Sequence, residues 1–389
     1  MVKRLAISFS VIVVLVALVS SMIGSVSVAN AAPPPKPTKT PTPTPGAPAP
    51  TLTPGAPASL QIYGTWHCGN DACTWATVRT ISEFDSKNNW LINRGDGRPS
   101  VNLVVLSFVN PLKLLNKTND AGTVDGVPIG MTQDVVNYFK SRGIRVALSI
   151  GGITYTDDWN TALAANPTQF GLNAAEVAQR LGVGIEIDYE QNADPNLTGL
   201  QAFIDAYRSV LPYDPTGNNH AARLTIDLAA GDRWLIALTR KATADWLTTT
   251  NPVLDYANAM VPSRQPSTSG AIANWQEHVD GKAQYDPPIL PLAPSKFTGS
   301  LYVVSGTNIA PECNNFANSL QNSTGSFVQS VAPNGAGTTS GMLGYMFWAS
   351  EMPSTRRITT APPNSCEGGV GAGATFYNIP IPMPALRQQ

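Results

Sequence analysis

Apolar, β-branched runs recur along this chain, separated by segments of helical length. Residues 60–66, 101–110, 144–151, 183–190, 223–230, 254–261, 300–305 and 342–349 read as strands. Residues 132–142, 162–181, 197–211 and 240–250 read as helices. Asn166-Pro167 and Pro212 mark local interruptions or ends. Leu103-Val104-Val105-Leu106 is apolar throughout, as a parallel strand covered on both faces should be. Strand alternating with helix through eight strands predicts an α/β fold, a single (β/α)8 TIM barrel over residues 60–389. A doubly wound open sheet is the alternative, but no glycine-rich phosphate loop follows the first strand. No internal repeat of regular period is present.

The fourth run departs from this apolar rule. In Val183-Gly184-Ile185-Glu186-Ile187-Asp188-Tyr189-Glu190, three acids stand at every second position. A strand sends alternate side chains to opposite faces, so Glu186, Asp188 and Glu190 share one face and Ile185, Ile187 and Tyr189 the other. A helix would scatter the same three acids. Unneutralised acids inside a barrel would be costly as packing alone, which points to chemistry. An edge strand with acidic decoration facing solvent is the bland reading of the same pattern.

Composition adds boundaries. Lys3 and Arg4 precede a long apolar stretch that ends in small residues, Ala29-Asn30-Ala31, the pattern of a secretory signal peptide over 1–31. If uncleaved, that stretch would serve as a membrane anchor. Residues 32–59 are rich in Pro and Thr and read as a disordered, extended spacer with almost nothing to bury. All 26 acidic residues lie from residue 60 onward with 21 of the 25 basic ones, because Lys3, Arg4, Lys36 and Lys39 precede it. The net charge of that part is −5, with no basic block, which argues against nucleic acid as a partner. Nothing points to an obligate protein partner, and a monomer is expected.

Four cysteines in an exported chain suggest two disulfides. Proximity favours Cys68 with Cys73 and Cys313 with Cys366, although three pairings exist. Their spacings fit no common zinc pattern, so no metal is expected. Barrel chemistry sits at the carboxyl ends of the strands. Aromatics cluster there: Trp66 after the first strand, Tyr155 and Trp159 after the third, Trp234 after the fifth, Trp275 after the sixth and Trp348 at the end of the eighth. Such faces suit the apolar C–H faces of sugar rings, though any single Trp is as well explained as core.

These residues resemble the family-18 glycoside hydrolases, the chitinase and endo-β-N-acetylglucosaminidase family. Ser149-Ile150-Gly151-Gly152 is similar to that family's Ser-x-Gly-Gly signature. The fourth strand resembles its Asp-Gly-x-Asp-x-Asp-x-Glu signature, and Gly344-Tyr345-Met346-Phe347-Trp348 resembles its eighth strand, whose Trp floors the sugar pocket. The resemblance covers most of 60–352. It implies a secreted glycosidase that hydrolyses β-1,4-linked N-acetylglucosamine polymers such as chitin, without a cofactor. Glu190 would be the general acid, and Asp188 would hold the substrate's 2-acetamido group. That group's oxygen would be the nucleophile, forming a cyclic oxazolinium ion that water opens with net retention. Ser149 would support the carboxylates, while Gly151 and Gly152 would keep the wall thin. Trp348, Met260, Trp66, Trp159, Trp234 and Trp275 would line the substrate site.

Four positions depart from the family pattern. Val183 replaces its first Asp, but its parity turns it toward the helices. Glu186 replaces its middle Asp, whose carboxyl shares a proton with the next acid during the cycle. In the sixth strand Met260 aligns, but Pro262 and Ser263 stand where the family carries Tyr and Asp. Losing that Tyr donor would weaken electrostatic stabilisation by ~3–4 kcal/mol unless Ser263, Gln265 or Tyr302 replaces it. This loss motivates the alternative reading, a lectin-like oligosaccharide-binding protein on the same barrel. Asp227 on the fifth strand either faces inward as well or pairs near the wall. If Glu186 is the proton-sharing partner, Glu186→Gln will slow turnover strongly while circular dichroism shows an intact fold. Near-normal turnover would remove Glu186 from the mechanism.

Overall fold

A computed structural model of the chain describes residues 62–69, 71, 73–92, 99, 101–231, 233–260, 268–302 and 342–348. The expected leader, the spacer, Cys313, Cys366 and residues 261–267 lie outside the described residues. Among those described, eight parallel strands form the sheet: β1 (Ile62–His67), β2 (Leu103–Val109), β3 (Arg145–Gly151), β4 (Gly184–Asp188), β5 (Leu224–Leu228), β6 (Ala257–Ala259), β7 (Phe297–Tyr302) and β8 (Gly344–Trp348). Each pairs with its neighbours in chain order, and β1 pairs with both β2 and β8, so the sheet closes on itself.

Helices follow six of these strands among the described residues. Helix α1 (Ile81–Ile92) follows β1, and α2 (Pro111–Leu115) and α3 (Gln133–Lys140) follow β2, with a small hairpin of Thr123–Val124 and Val127–Pro128 between them. Helices α4 (Thr156–Ala165) and α5 (Pro167–Leu181) follow β3, α6 (Leu197–Val210) follows β4, α7 (Ile236–Lys241) follows β5 and α8 (Thr268–Asp280) follows β6. The single helix expected over 162–181 is therefore two. Asn166 ends the first and caps the second by accepting a hydrogen bond from the Gln169 amide at 3.0 Å, and Pro167 takes the first helical position, where no amide hydrogen is needed. The helix expected over 240–250 instead runs Ile236–Lys241 and continues as a π-turn, Ala242–Trp246. The seventh strand begins three residues earlier than expected, at Phe297, whose ring is fully buried and belongs to the core.

Strand parity divides the core into two parts. Outward-facing Ile185, Ile187 and Tyr189 join Leu148, Ile150, Leu224 and Ile226 in a large apolar layer with Phe170, Phe203 and Trp159 from the helices. Inward-facing Ile62, Leu103, Val105, Ala147, Trp66 and Met346 form a second, smaller cluster with Tyr256 and Leu343. Beside this plug, inward positions that include Ser149, Glu186, Asp188, Thr225, Asp227, Asn258, Thr298 and Ser300 form a buried polar tier. The barrel is thus apolar in one part of its interior and acidic in the other.

The exit of β3 is what shapes the acidic end. Gly151 has φ +122°, and a Cβ there would stand 2.0 Å from the Asp188 carbonyl oxygen and 2.3 Å from Trp159 Nε1. Gly152 then donates its amide hydrogen to the same Asp188 carbonyl, at 3.0 Å. The end of β3 is laid directly across the end of β4, which only a residue without a side chain allows. Gly151→Ala should therefore lower stability by about 2–5 kcal/mol in a denaturant titration, through backbone strain and forced overlap. Gly122→Ala, where a Cβ would meet only Asp120 Oδ1 at 3.7 Å, is the control and should change little. Equal losses in both would show that this crossing does not limit stability.

Candidate active site

The site grows from β4. Glu186 and Asp188 lie on its inward face, 0 % and 4 % exposed, and Glu190 follows just beyond the strand end, partly open to solvent. Glu186 has several partners. The Trp66 indole N–H donates to its Oε1 at 2.9 Å, and the Asn258 amide donates to its Oε2 at 2.7 Å. Thr298 donates its hydroxyl hydrogen to Asn258 Oδ1 at 2.6 Å, which fixes the amide with its NH2 toward the acid. The Ser149 hydroxyl lies beside Glu186 and favours its charged form, without completing a well-formed hydrogen bond. Burial outweighs these donors, so the Glu186 pKa stays above the usual carboxylate range.

Asp188 is different. Its Oδ1 has no hydrogen-bond partner among the described residues. Burial first, then the charges of Glu190 and Glu186, push its pKa well up. Glu190 is pushed up to about 7, chiefly by burial, against a hydrogen bond from the Ile153 amide that favours its charged form. Asp227 completes the cluster from the inward face of β5, 2 % exposed and close enough to Glu186 for each carboxyl to act on the other. Its pKa is well raised by burial and by the charges of Glu186 and Asp188. Four carboxyl groups therefore share one end of the barrel.

The structure sorts the expected site residues unevenly. Ser149, Glu186, Asp188 and Glu190 come together with Gly151 and Gly152. Trp66 belongs with them, but as a buried hydrogen-bond donor rather than an open platform. Trp159 and Trp275 do not line the mouth. Trp159 is fully buried under the β3 exit, where its indole N–H donates to the Ile150 carbonyl at 3.1 Å and its ring packs on Phe170, Tyr189 and Phe203. Trp275 is fully buried on α8 and presses on Gly299 of β7. Large apolar rings on helices were captured by the layer between helix and sheet, where burying them is most favourable.

Trp234 is partly buried in the segment after β5, and Met260 is partly buried just after β6, tied by its amide to the Leu228 carbonyl at 2.8 Å. Trp348 ends β8, and its side chain lies outside what the structure describes. Tyr155 stays near the mouth, half-buried in the turn after β3, with Lys113 and Asp158 close enough to act on its hydroxyl. The Cys68–Cys73 disulfide is present and staples the segment that leaves β1. Asn258 and Thr298 were missed in the sequence. Their signal was an amide between two alanines on one strand and two hydroxyls, Thr298 and Ser300, on the inward parity of the next.

No protein-family model and no curated protein sequence matches the chain. Solved structures similar to it include a GH18 chitinase from Pseudoalteromonas aurantia, at 13 % identity, covering 74 % of this chain and 93 % of that one with a TM-score of 0.47. A chitinase from Bacillus thuringiensis is similar at 13 % identity over 82 % of this chain and 69 % of its own, with a TM-score of 0.42. A family GH18 chitinase from Cycas revoluta, in complex with allosamidin, is similar at 15 % identity over 69 % and 92 %, with a TM-score of 0.37.

The raised Glu190 pKa has a consequence for stability. Its folded value of about 7 lies above the model-compound value of 4.5, so the folded chain holds the proton more tightly than the unfolded one. Ionising Glu190 therefore costs stability progressively as pH rises from 4.5 to about 7, and the full cost stands above that. Glu190→Gln removes it. The variant's melting temperature should rise relative to the unaltered chain across that window and match it below. A difference independent of pH would show that Glu190 titrates normally.

Proposed function

We propose that this chain is a glycosidase that hydrolyses β-1,4-linked N-acetylglucosamine polymers by a substrate-assisted, retaining mechanism. The observation that carries the reading is the pairing of two unlike acids on one strand end. Glu190 is partly open to solvent with a pKa of about 7, suited to give a proton near neutral pH, while Asp188 behind it is buried with an unpartnered oxygen. An acid poised near the working pH maximises both its protonated fraction and its tendency to transfer the proton.

In this mechanism Glu190 protonates the departing glycosidic oxygen. The substrate's own acetamido oxygen attacks the anomeric carbon from the opposite face and closes an oxazolinium ring. Asp188 accepts the hydrogen bond of the acetamido N–H through its free oxygen, and its own proton passes to the neighbouring Glu186 carboxylate as positive charge develops at that nitrogen. That charge change is disfavoured by burial in the empty site and favoured once the cation forms, which is the differential interaction that lowers a barrier. Glu190, now a carboxylate, removes a proton from the incoming water, which opens the ring with retained configuration. Glu186, held by Trp66 and Asn258, is the acceptor of that proton, so the charge that its carboxylate sets against Asp188 is removed as Asp188 ionises.

The lectin-like alternative has no comparable observation behind it, and the raised pKa of Glu190 beside the buried Asp188 favours the hydrolytic reading. The eighth-strand aromatic and the partly buried Trp234 are taken as sugar-stacking positions. Secretion is part of the same proposal: the leader-like residues 1–31 supply a route out, and disulfides such as Cys68–Cys73 persist in oxidising surroundings. A complete (β/α)8 repeat, with helices after β7 and β8 as well, is inferred from the closure of the sheet.

The test uses the full chain and a fluorogenic chitotrioside. Release should occur and should fall by ~10^2-fold or more in Glu190→Gln, the usual scale for a lost general acid. A matched substrate without the acetamido group should not be cleaved. Release that survives Glu190→Gln would remove the assignment of the acid, and cleavage without the acetamido group would remove substrate assistance.

A further inference from the structure

The grip on Glu186 extends one strand beyond Asn258. Asn258 lies between Ala257 and Ala259 on β6 and is fully buried, as is Thr298 on β7. The sheet register sets the two directly opposite each other. The Asn258 NH2 donates to Glu186 Oε2 at 2.7 Å, and its Oδ1 accepts the Thr298 hydroxyl hydrogen at 2.6 Å. An amide inside a barrel is costly unless its polar atoms are bonded, and here both ends of it are. The chain of contacts thus runs from β7 through β6 to the acid on β4.

An amide can face a carboxyl group with either end. Its NH2 end suits a carboxylate, which only accepts, and its oxygen end suits a carboxylic acid, which donates. The end that Asn258 presents therefore decides which form of Glu186 is favoured. With the Thr298 hydroxyl on Oδ1, the amide oxygen is occupied and the NH2 is turned to Glu186. Trp66 acts in the same sense from β1, where its indole N–H, which can only donate, reaches Oε1. Each Glu186 oxygen meets a donor.

We propose that Thr298 and Asn258 are positioning residues that keep Glu186 a carboxylate until it takes the proton of Asp188. The inference rests on the glycosidase reading. In that step the Asp188 O–H bond breaks and a Glu186 O–H bond forms, so Glu186 must begin without a proton. Burial favours its protonated form, and the donors from Trp66 and Asn258 oppose it. Among titratable and charged groups, Asp188 on β4, Asp227 on β5 and Tyr256 on β6 all feel the Glu186 charge, while Arg145 at the start of β3 acts on Tyr256.

Thr298→Val removes the hydroxyl and keeps the shape. The Asn258 oxygen is then without its donor, and the amide is free to turn that oxygen to Glu186, which favours the acid. On the chitotrioside kcat should fall by about tenfold, the scale of one hydrogen bond to a charged group, with KM within about threefold. The acid limb of the pH–kcat profile should move up by about one pH unit, because Glu186 must lose its proton before it can accept another. Thr298→Ser keeps a hydroxyl and should recover both kcat and the limb. A role in packing alone would lower the melting temperature of Thr298→Val and leave the limb in place. An unmoved limb overturns the proposal, as does a loss that Thr298→Ser fails to recover.

A second measurement needs no turnover. With carboxyl-carbon-labelled glutamate, the infrared difference between Glu190→Gln and the double variant Glu186→Gln/Glu190→Gln isolates the Glu186 carboxyl. Its titration midpoint should be higher when Thr298→Val is added to both. An identical midpoint overturns the proposal. If the unaltered chain releases nothing from the chitotrioside, the glycosidase reading fails, and the catalytic task of Thr298 and Asn258 fails with it. A raised midpoint in that case would locate the failure in the reaction assigned rather than in the hydrogen-bonded chain.

Discussion

The constraint on which the site depends is the burial of four carboxyl groups in one end of a closed sheet. Glu186, Asp188 and Asp227 are almost without solvent, and Glu190 is only partly open. Taking an ionised carboxylate out of water costs several kcal/mol even after relaxation, so the cluster cannot carry four negative charges. Each acid is pushed toward its protonated form, and the donors present decide which resists. Trp66, Asn258 and Ser149 all attend to Glu186. Asp188 receives none of them. The distribution of these few donors, more than the acids themselves, is what makes the environments of Glu186 and Asp188 unlike.

The barrel supplies the rigidity that this arrangement needs. Closure of the sheet leaves the inward faces no edge to open, and the apolar plug of Ile62, Val105, Ala147 and Met346 fills the rest of the interior. At the acidic end, Gly151 lets β3 cross β4 at backbone contact, which brings the Ile153 amide to Glu190. Trp159 lies beneath that crossing and fixes it by a hydrogen bond to Ile150. A glycine required by sterics and a tryptophan captured by the core thus set the position of Glu190.

Much of this was legible in the sequence because it depends on period. Acids at every second residue, with Ile185, Ile187 and Tyr189 between them, could satisfy both faces only as a strand with an acidic inside. The Ser149–Gly152 exit was legible for the same reason, as a strand followed by two residues free to turn. The tryptophans were harder to place. Trp66 and Trp348 share strand parity with the site, whereas Trp159 and Trp275 are on helices, and a position after a strand does not say whether a ring points to the mouth or the core. Asn258 and Thr298 were hard to read because one amide in a three-residue strand and two small hydroxyls in the next make only a weak periodic signature. Their roles emerge only once the register sets Asn258 opposite Asp227 and Thr298 opposite Asn258.

The central claim is that Glu190, protonated near neutral pH by its partial burial, is the proton donor of a glycosidic cleavage. The most direct measurement is the pH dependence of kcat/KM on the chitotrioside, which reports ionisations of the free protein. The account predicts an alkaline limb with a midpoint near the Glu190 value of about 7, activity being lost as pH rises through it. A rate that stays level through that pH, or a limb set by a group of ordinary carboxylate pKa, would contradict it.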